Sequence, residues 1–232
     1  MNDPFVQRLR RLDACAVSDA LDKLGLPGVV TGLAQRSGPE QGGGRVAGRA
    51  VTMKVGPGER PPGPPVHLGC SAIAAAGPGR IIVVEQRSGV EAGCWGGLLT
   101  LGARARGVEG VVADGPLRDV DEAIAYGFPI FARSLTSRTA RGRVVELGTQ
   151  VPVTIGAGPD AGGTVTVHPG DYVLADRSAV IFIAAAAVER VLETAEAIVA
   201  KEAAMAKAIL AGTPIADVMG GNYEHMLEQE SR

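Results

Sequence analysis

A chain of 232 residues can bury a sizeable core, and 46% hydrophobic with 21% charged residues is the balance of an ordinary water-soluble globular protein. A net charge of −2 and only 3% aromatic residues argue against a general electrostatic or stacking grip on nucleic acid, and against attraction to an anionic membrane. Cys15, Cys70 and Cys94 are widely spaced with no C-x-x-C pair, Met1 to Arg11 lacks an apolar signal core, and no uncharged apolar run reaches the roughly 18 residues of a membrane span; the expectation is a reduced, cytoplasmic protein.

Taken in chain order, Ser18 to Gly25 predicts a short helix with Leu21 and Leu24 on one face and Gly25 as its stop. Gly38 to Gly44 is a polar, glycine-rich turn. Val46 to Val55 alternates as a strand, with Gly48 as a candidate bulge. Gly56 to Pro65, rich in proline and glycine, must be a loop. His67 to Ala76 predicts a small-residue helix, Arg80 to Glu85 a buried strand, Trp95 to Arg106 a helix ended by Gly107, and Val108 to Ala113 a buried strand closed by an Asp114-Gly115 turn. A helix from Asp119 to Tyr126 and a strand from Ile130 to Ala132 follow. This rhythm indicates a partly parallel sheet covered by helices.

The pattern then changes. Val144–Leu147, Val151–Ile155, Thr164–Val167, Tyr172–Ala175 and Val180–Ile183 read as short strands of an antiparallel half. A long Ala/Glu-rich helix, Ala186 to Ala211, stops at Gly212-Thr213-Pro214. With no repeat and no linker, the reading is a single α/β domain over residues 1–232, with a C-terminal helical arm from about 186.

The chemistry gathers around residue 118. Asp119 and Glu122 are three apart at the start of a helix and share a face. Two such carboxylates suit a hard divalent cation, and they equally complement a helix dipole. Asp121 points elsewhere, toward solvent. Arg118, just past a strand end, can hold an oxyacid by two hydrogen bonds or form a surface ion pair. Gly96-Gly97-Leu98-Leu99 opens a helix whose free amides can bind a carboxylate, although paired glycines also serve tight packing. His67 follows the proline-rich loop as an acid–base group, a substrate contact or a structural residue. His168 and His225 have no metal-ligand spacing. There is no H-x-x-x-H, G-x-S-x-G or P-loop, which argues against a zinc hydrolase, a serine hydrolase or an NTPase, and no convincing G-x-G-x-x-G after a strand to hold S-adenosylmethionine.

Several collinear segments resemble the RraA / 4-hydroxy-4-methyl-2-oxoglutarate (HMG) aldolase family: Val17 to Gly25, Val46 to Thr52, Gly96 through Arg118-Asp119, His168 to Asp176 and Ala200 to Ala204. The resemblance implies an RraA-like swivelling β/β/α three-layer fold, assembled as a homotrimer or as a hexamer of two trimers. It implies a lyase using Mg²⁺ or Mn²⁺ that cleaves a 4-hydroxy-2-oxo acid to pyruvate or decarboxylates oxaloacetate through a stabilised enolate. By match, Asp119 would ligate the metal, Arg118 would contact the keto-acid oxygens, and the Leu98 and Leu99 amides would hold the carboxylate. Glu202 would approach from a neighbouring subunit.

One departure stands out. The aldolases carry an Asp twenty-one positions before the Arg, and here that position is Gly97. Glu122 is the candidate replacement carboxylate, giving an R-D-x-x-E arrangement. Two alternatives accompany the lyase reading. One is a non-catalytic RraA-like regulator binding an RNA-degrading endonuclease, although the enterobacterial regulator of the family lacks the Arg-Asp pair. The other is a different metal-assisted reaction of the Gly97 variant.

Overall fold

Four parallel or near-parallel strands at the centre of the chain set the frame for everything else. The computed structural model describes residues 3–39, 44–59, 62–63, 66–158 and 163–220. Parts of the Gly38–Gly44 turn, of the Gly56–Pro65 loop and of the C-terminal arm, including His225, lie outside the described residues. Strands β3 (Val46–Gly56), β4 (Arg80–Glu85), β5 (Gly110–Leu117) and β6 (Ile130–Leu135) run parallel, neighbour to neighbour. Strand β2 (Ala34–Ser37) closes one side antiparallel to β6. On the other side, β10 (Tyr172–Ala175), β11 (Val180–Ile183) and β1 (Val29–Val30) continue the sheet antiparallel from β3. The eleven residues of β3 let it carry a second partner on the same edge, β7 (Val145–Thr149), beyond β10. Strands β8 (Val153–Gly156) and β9 (Thr164–Val167) form a separate hairpin.

Alternation along these strands builds three layers. Val51, Met53, Ile82, Val84, Val111, Ala113, Ile130 and Ala132 face one way, onto α3 (Cys70–Ala75), α4 (Gly97–Ala105) and α5 (Val120–Ala125). Ala50, Ile81, Val83, Val112 and Phe131 face the other way and pack with Val153, Ile155, Val165 and Val167 of the hairpin. The antiparallel end of the sheet buries Tyr172, Leu174, Ile181 and Ile183 against α1 (Pro4–Leu9), α2 (Ala14–Lys23) and α6 (Val188–Leu210). Hairpin, curled sheet and helices are the expected β/β/α arrangement. A sheet covered on both faces explains why Arg80–Glu85 reads as a continuous apolar run.

Several local expectations change. The strands of the second half pair antiparallel as expected, but β7, β10 and β11 do so as part of the central sheet, and β8 and β9 pair by themselves. Strands β1 and β2 and helix α1 carry too few patterned residues to stand out in the sequence. Helix α2 begins earlier than expected, where the Asp13 side chain accepts the Ala16 N–H. Helix α3 starts only at Cys70, so His67 and Leu68 lie in the preceding loop. Gly48 is not a bulge: it pairs in register with Val173, and a Cβ there would sit 2.9 Å from the Gly79 carbonyl oxygen. Close backbone approach, not irregular pairing, demands that glycine.

The Asp114-Gly115 pair is not a turn either, since β5 runs through it to Leu117. Asp114 is buried on the hairpin side, accepting from Gly156 N at 2.6 Å and from Arg133 Nε at 2.8 Å, with Arg87 Nε at 3.4 Å. Glu85 takes the Thr154 N–H at 2.6 Å and pairs with Lys54. The two carboxylates thus satisfy backbone amides of β8 that the main sheet does not. Replacing Asp114 by Ala would strand Arg133 and the Gly156 amide, and the expected loss is about 3 kcal/mol or more in urea unfolding, with Asp114→Asn intermediate.

Candidate active site

The site grows from the segment between β4 and β5. Residues 93–96 cross the end of β5 as a strap: Cys94 N donates to the Pro116 carbonyl at 2.9 Å, Trp95 bridges Leu117, and Arg118 N donates to Trp95 O at 3.1 Å. The strap delivers the chain directly into α4. There Thr100 Oγ donates to Gly96 O at 2.9 Å and accepts Trp95 Nε1 at 3.1 Å, which fixes the helix start inside the core. Leu98 and Leu99 lie in the first turn, where backbone N–H groups have no intrahelical acceptor.

Asp119 stands at the N-terminal boundary of α5 in a left-handed conformation, φ 57° and ψ 40°, which Asp tolerates better than most side chains, and its side chain makes no capping bond to that helix. Its carboxylate reaches across to the other helix. Oδ2 accepts the Gly97 N–H at 3.0 Å, and Oδ1 lies 3.2 Å from Arg118 Nε. The stem of Arg118 lies over two glycines: a Cβ on Gly93 would stand 2.9 Å from its Cγ and Cδ, and one on Gly96 would stand 3.1 Å from its Cγ. Any larger residue at 93 or 96 would push the guanidinium aside.

A cavity of about 400 Å³ opens over this arrangement, lined by His67, Gly97, Leu98, Leu99, Arg118 and Asp119. Six of the eight residues singled out in the sequence therefore meet in one place. Glu122 lies beside the cavity. A Cβ built on Gly97 would fall 1.9 Å from Glu122 Oε2 and 3.3 Å from Asp119 Cβ, so the Glu122 carboxylate occupies the room that a side chain at 97 would need. Glu202 does not join them within one chain. It lines a separate and larger groove of about 820 Å³ with Asp13, Asp19 and Asp176, where partial burial, then the charges of Asp22 and Asp13, hold the Asp19 carboxyl above its ordinary range.

Arg141, together with Thr139 and Ala140, completes the cavity wall. Sequence reading passed over it; the only available signal was the density of arginines between Arg138 and Arg143. Leu68 and Trp95 were missed because apolar wall residues look like core residues in a sequence.

Among the described residues no group of three or more His, Cys, Asp or Glu side chains gathers as a ready-made metal cage. The donors present are the carboxylates of Asp119 and Glu122, converging on Gly97. That set fits Mg²⁺ or Mn²⁺, which bind through one or two carboxylates and take their other oxygens from water and substrate.

The fold and this site define an α/β protein of the RraA-like group. A family model described as RraA-like: Aldolase/RraA matches residues 14–182, and the chain belongs to that family. It is similar to the protein DlpA of Legionella pneumophila, 27% identical over 211 residues that make up 91% of this chain. The match spans only 32% of that much longer relative. It is also 29% identical, over 88% of each chain, to a protein of Halalkalibacterium halodurans provisionally named 4-hydroxy-4-methyl-2-oxoglutarate aldolase. Among solved structures, an uncharacterised protein of Pseudomonas syringae superimposes with a TM-score of 0.79 and 26% identity, covering 95% of this chain and 98% of the other.

Cys94, in the strap beneath Arg118, tests how firmly this segment is held. It is fully buried, its thiol points to Pro116 O at 3.3 Å, and burial pushes its pKa up to about 12. Thiol titration of the folded protein is expected to modify the exposed Cys15 and Cys70 and to reach Cys94 only after unfolding. Rapid labelling of all three would show that the strap opens.

Proposed function

We propose that the protein is a divalent-metal-dependent carbon–carbon lyase acting on a small 2-oxo acid, by aldol cleavage of a 4-hydroxy-2-oxo acid to pyruvate, by oxaloacetate decarboxylation, or by both. One observation carries the reading: a guanidinium, a carboxylate and the free amides of a helix start share one cavity, and a second carboxylate stands where the aldolase Asp would be. The provisional name of the Halalkalibacterium relative supports the same reaction class.

Each residue then has a distinct task. The Leu98 and Leu99 N–H groups receive the substrate carboxylate at the positive end of α4. Arg118, held in line by Asp119, donates to the 2-oxo oxygen and stabilises the negative charge that grows there as the enolate forms. Asp119 and Glu122 would hold Mg²⁺ or Mn²⁺, which supplies Lewis-acid polarisation of the carbonyl when bound. Gly97 leaves the room that Glu122 fills.

The reading includes a homotrimer or a hexamer of two trimers. The outer part of α6 supports it: Leu210 is 89% exposed, and Glu202 sits on a stretch of the helix that is mostly exposed among the described residues. A neighbouring copy would bring Glu202 toward the Arg118–Asp119 cavity. A cytoplasmic setting belongs to the same reading, supported by three free thiols. No helix among the described residues is long and apolar enough to cross a membrane.

The test is pyruvate release from oxaloacetate and from 4-hydroxy-4-methyl-2-oxoglutarate with Mg²⁺, with Mn²⁺ and with EDTA. Turnover is expected with either metal and not with EDTA, and Asp119→Ala and Glu122→Ala should each lower kcat by about 10²-fold or more. In the Glu122→Ala background, Gly97→Asp is expected to restore part of that loss by supplying the carboxylate from α4. Full activity of Glu122→Ala would remove Glu122 from the site. Absence of metal binding together with absence of turnover would replace the lyase by the endonuclease-binding regulator.

A further inference from the structure

Cleavage of a 4-hydroxy-2-oxo acid moves a proton twice: the C4 hydroxyl must lose one, and C3 of the pyruvate enolate must gain one. The cavity holds few groups able to do this. Arg118 and Arg141 stay protonated. Both oxygens of Asp119 already accept hydrogen bonds, and that carboxylate is assigned, with Glu122, to the metal. Glu122 stands against Gly97, outside the cavity lining. His67 remains, in the wall itself.

We propose, building on the lyase reading, that His67 is the proton carrier of this site, presented to substrate through Nε2 as a neutral imidazole protonated on Nδ1. The geometry sets the tautomer. Nδ1 lies 2.8 Å from the Leu68 carbonyl oxygen, and a carbonyl can only accept, so the ring hydrogen is on Nδ1. In the neutral ring of that tautomer Nε2 carries the lone pair, and it has no partner among the described residues.

The loop holding this ring is tied down from several directions. Cys70 N donates to the His67 carbonyl at 3.2 Å. Gly69 N donates to Glu146 Oε2 at 2.7 Å, and the other Glu146 oxygen accepts the Thr149 hydroxyl. Gly69, at φ 86°, packs against the same Leu99 whose amide opens α4: a Cβ there would come within 2.9 Å of Leu99 Cδ1. Proton carrier and carboxylate cradle are thus registered to each other through one glycine.

The step balances within the substrate and the ring. Nε2 takes the C4 hydroxyl proton, the oxygen's electron pair forms the new carbonyl, and the C3–C4 pair becomes the enolate double bond while charge collects on the 2-oxo oxygen beside Arg118. The imidazolium then returns its proton to C3, giving pyruvate and a neutral ring. Oxaloacetate decarboxylation has no hydroxyl proton to lose, and its enolate can be protonated by water. The two reactions therefore depend on His67 to different degrees.

His67→Asn is the informative variant, because its amide can still donate to the Leu68 carbonyl but cannot carry a proton. Relative to wild type with Mg²⁺, kcat for 4-hydroxy-4-methyl-2-oxoglutarate cleavage is expected to fall about 10²–10⁴-fold with KM nearly unchanged, while oxaloacetate decarboxylation falls less than about tenfold. Equal losses in both reactions, or a loss confined to KM, would make His67 a binding residue and overturn the proposal. Wild type inactive on both substrates would instead overturn the lyase reading, and this proposal with it. An independent readout is the ¹⁵N imidazole spectrum of the full chain with Mg²⁺ and oxalate, the His67 signals identified by their absence in His67→Asn. A ring protonated on Nδ1 is expected, and a proton on Nε2 would overturn the assignment.

Discussion

The Asp119 carboxylate is the hinge on which the site depends. It ties the two helix starts together: it caps nothing in its own helix, and spends its two oxygens on the first amide of α4 and on the guanidinium next door. A carboxylate placed there without partners would repel an incoming oxyacid. Bound to Arg118 and to the positive end of α4, it instead fixes two donors at the angle an oxyacid needs while retaining lone pairs for a cation. The left-handed backbone at 119 turns the side chain back toward α4, and this locally unfavourable conformation is accompanied by one hydrogen bond across the site, to Gly97 N, and one to the adjacent Arg118.

That arrangement relies on a rigid floor. The strap 93–96 is bonded to β5 and β6 neighbours through Cys94, Trp95 and the Gly93 N–H to Arg138 O bond, and Trp95 is fully buried. The opposite face of the same strands is fastened by Asp114 and Glu85 to the hairpin. Nearby positions thus do different work: residue 114 on β5 points to the hairpin and holds the layers together, while residues 118 and 119, past the strand end, line the candidate site. Two acids five residues apart, Asp114 and Asp119, alike in a sequence, are separated by which side of the sheet they reach.

The same contrast explains what was legible in the sequence. Arg80–Glu85 and the long C-terminal helix were readable because burial on both faces and helical spacing each leave a continuous signature. The family segments around residues 96–119 led to the cavity directly. What escaped was whatever is decided by contacts remote in the chain. Gly48 looked like an irregularity and proved to be a close approach to Gly79, and Asp114-Gly115 carried a turn signal that strand pairing overrode. Helix α3 is shorter than its composition suggests because Glu146, far along the chain, captures the Gly69 amide and holds the preceding residues as a loop. Arg141 offered only a local density of arginines, with no spacing to point it at the cavity.

Gly97 shows the limit of reading a motif position by position. Judged along the chain, the replacement of a carboxylate by glycine is a loss. Judged in space, a side chain at 97 and the Glu122 carboxylate compete for the same room, since a Cβ on Gly97 would fall 1.9 Å from Glu122 Oε2, and the proposed lyase takes its replacement carboxylate from that exchange between two helices. A small residue at 97 and an acid at 122 are therefore one feature, and neither is informative alone. The exchange also changes direction. A carboxylate rooted on α4 would approach along the same helix start that supplies the amides, whereas one rooted on α5 arrives from the Asp119 side and leaves the amides of Leu98 and Leu99 uncovered. Acid and anion-binding backbone are then carried by different elements, which lets the shape of the cavity near the amides vary without moving the carboxylate.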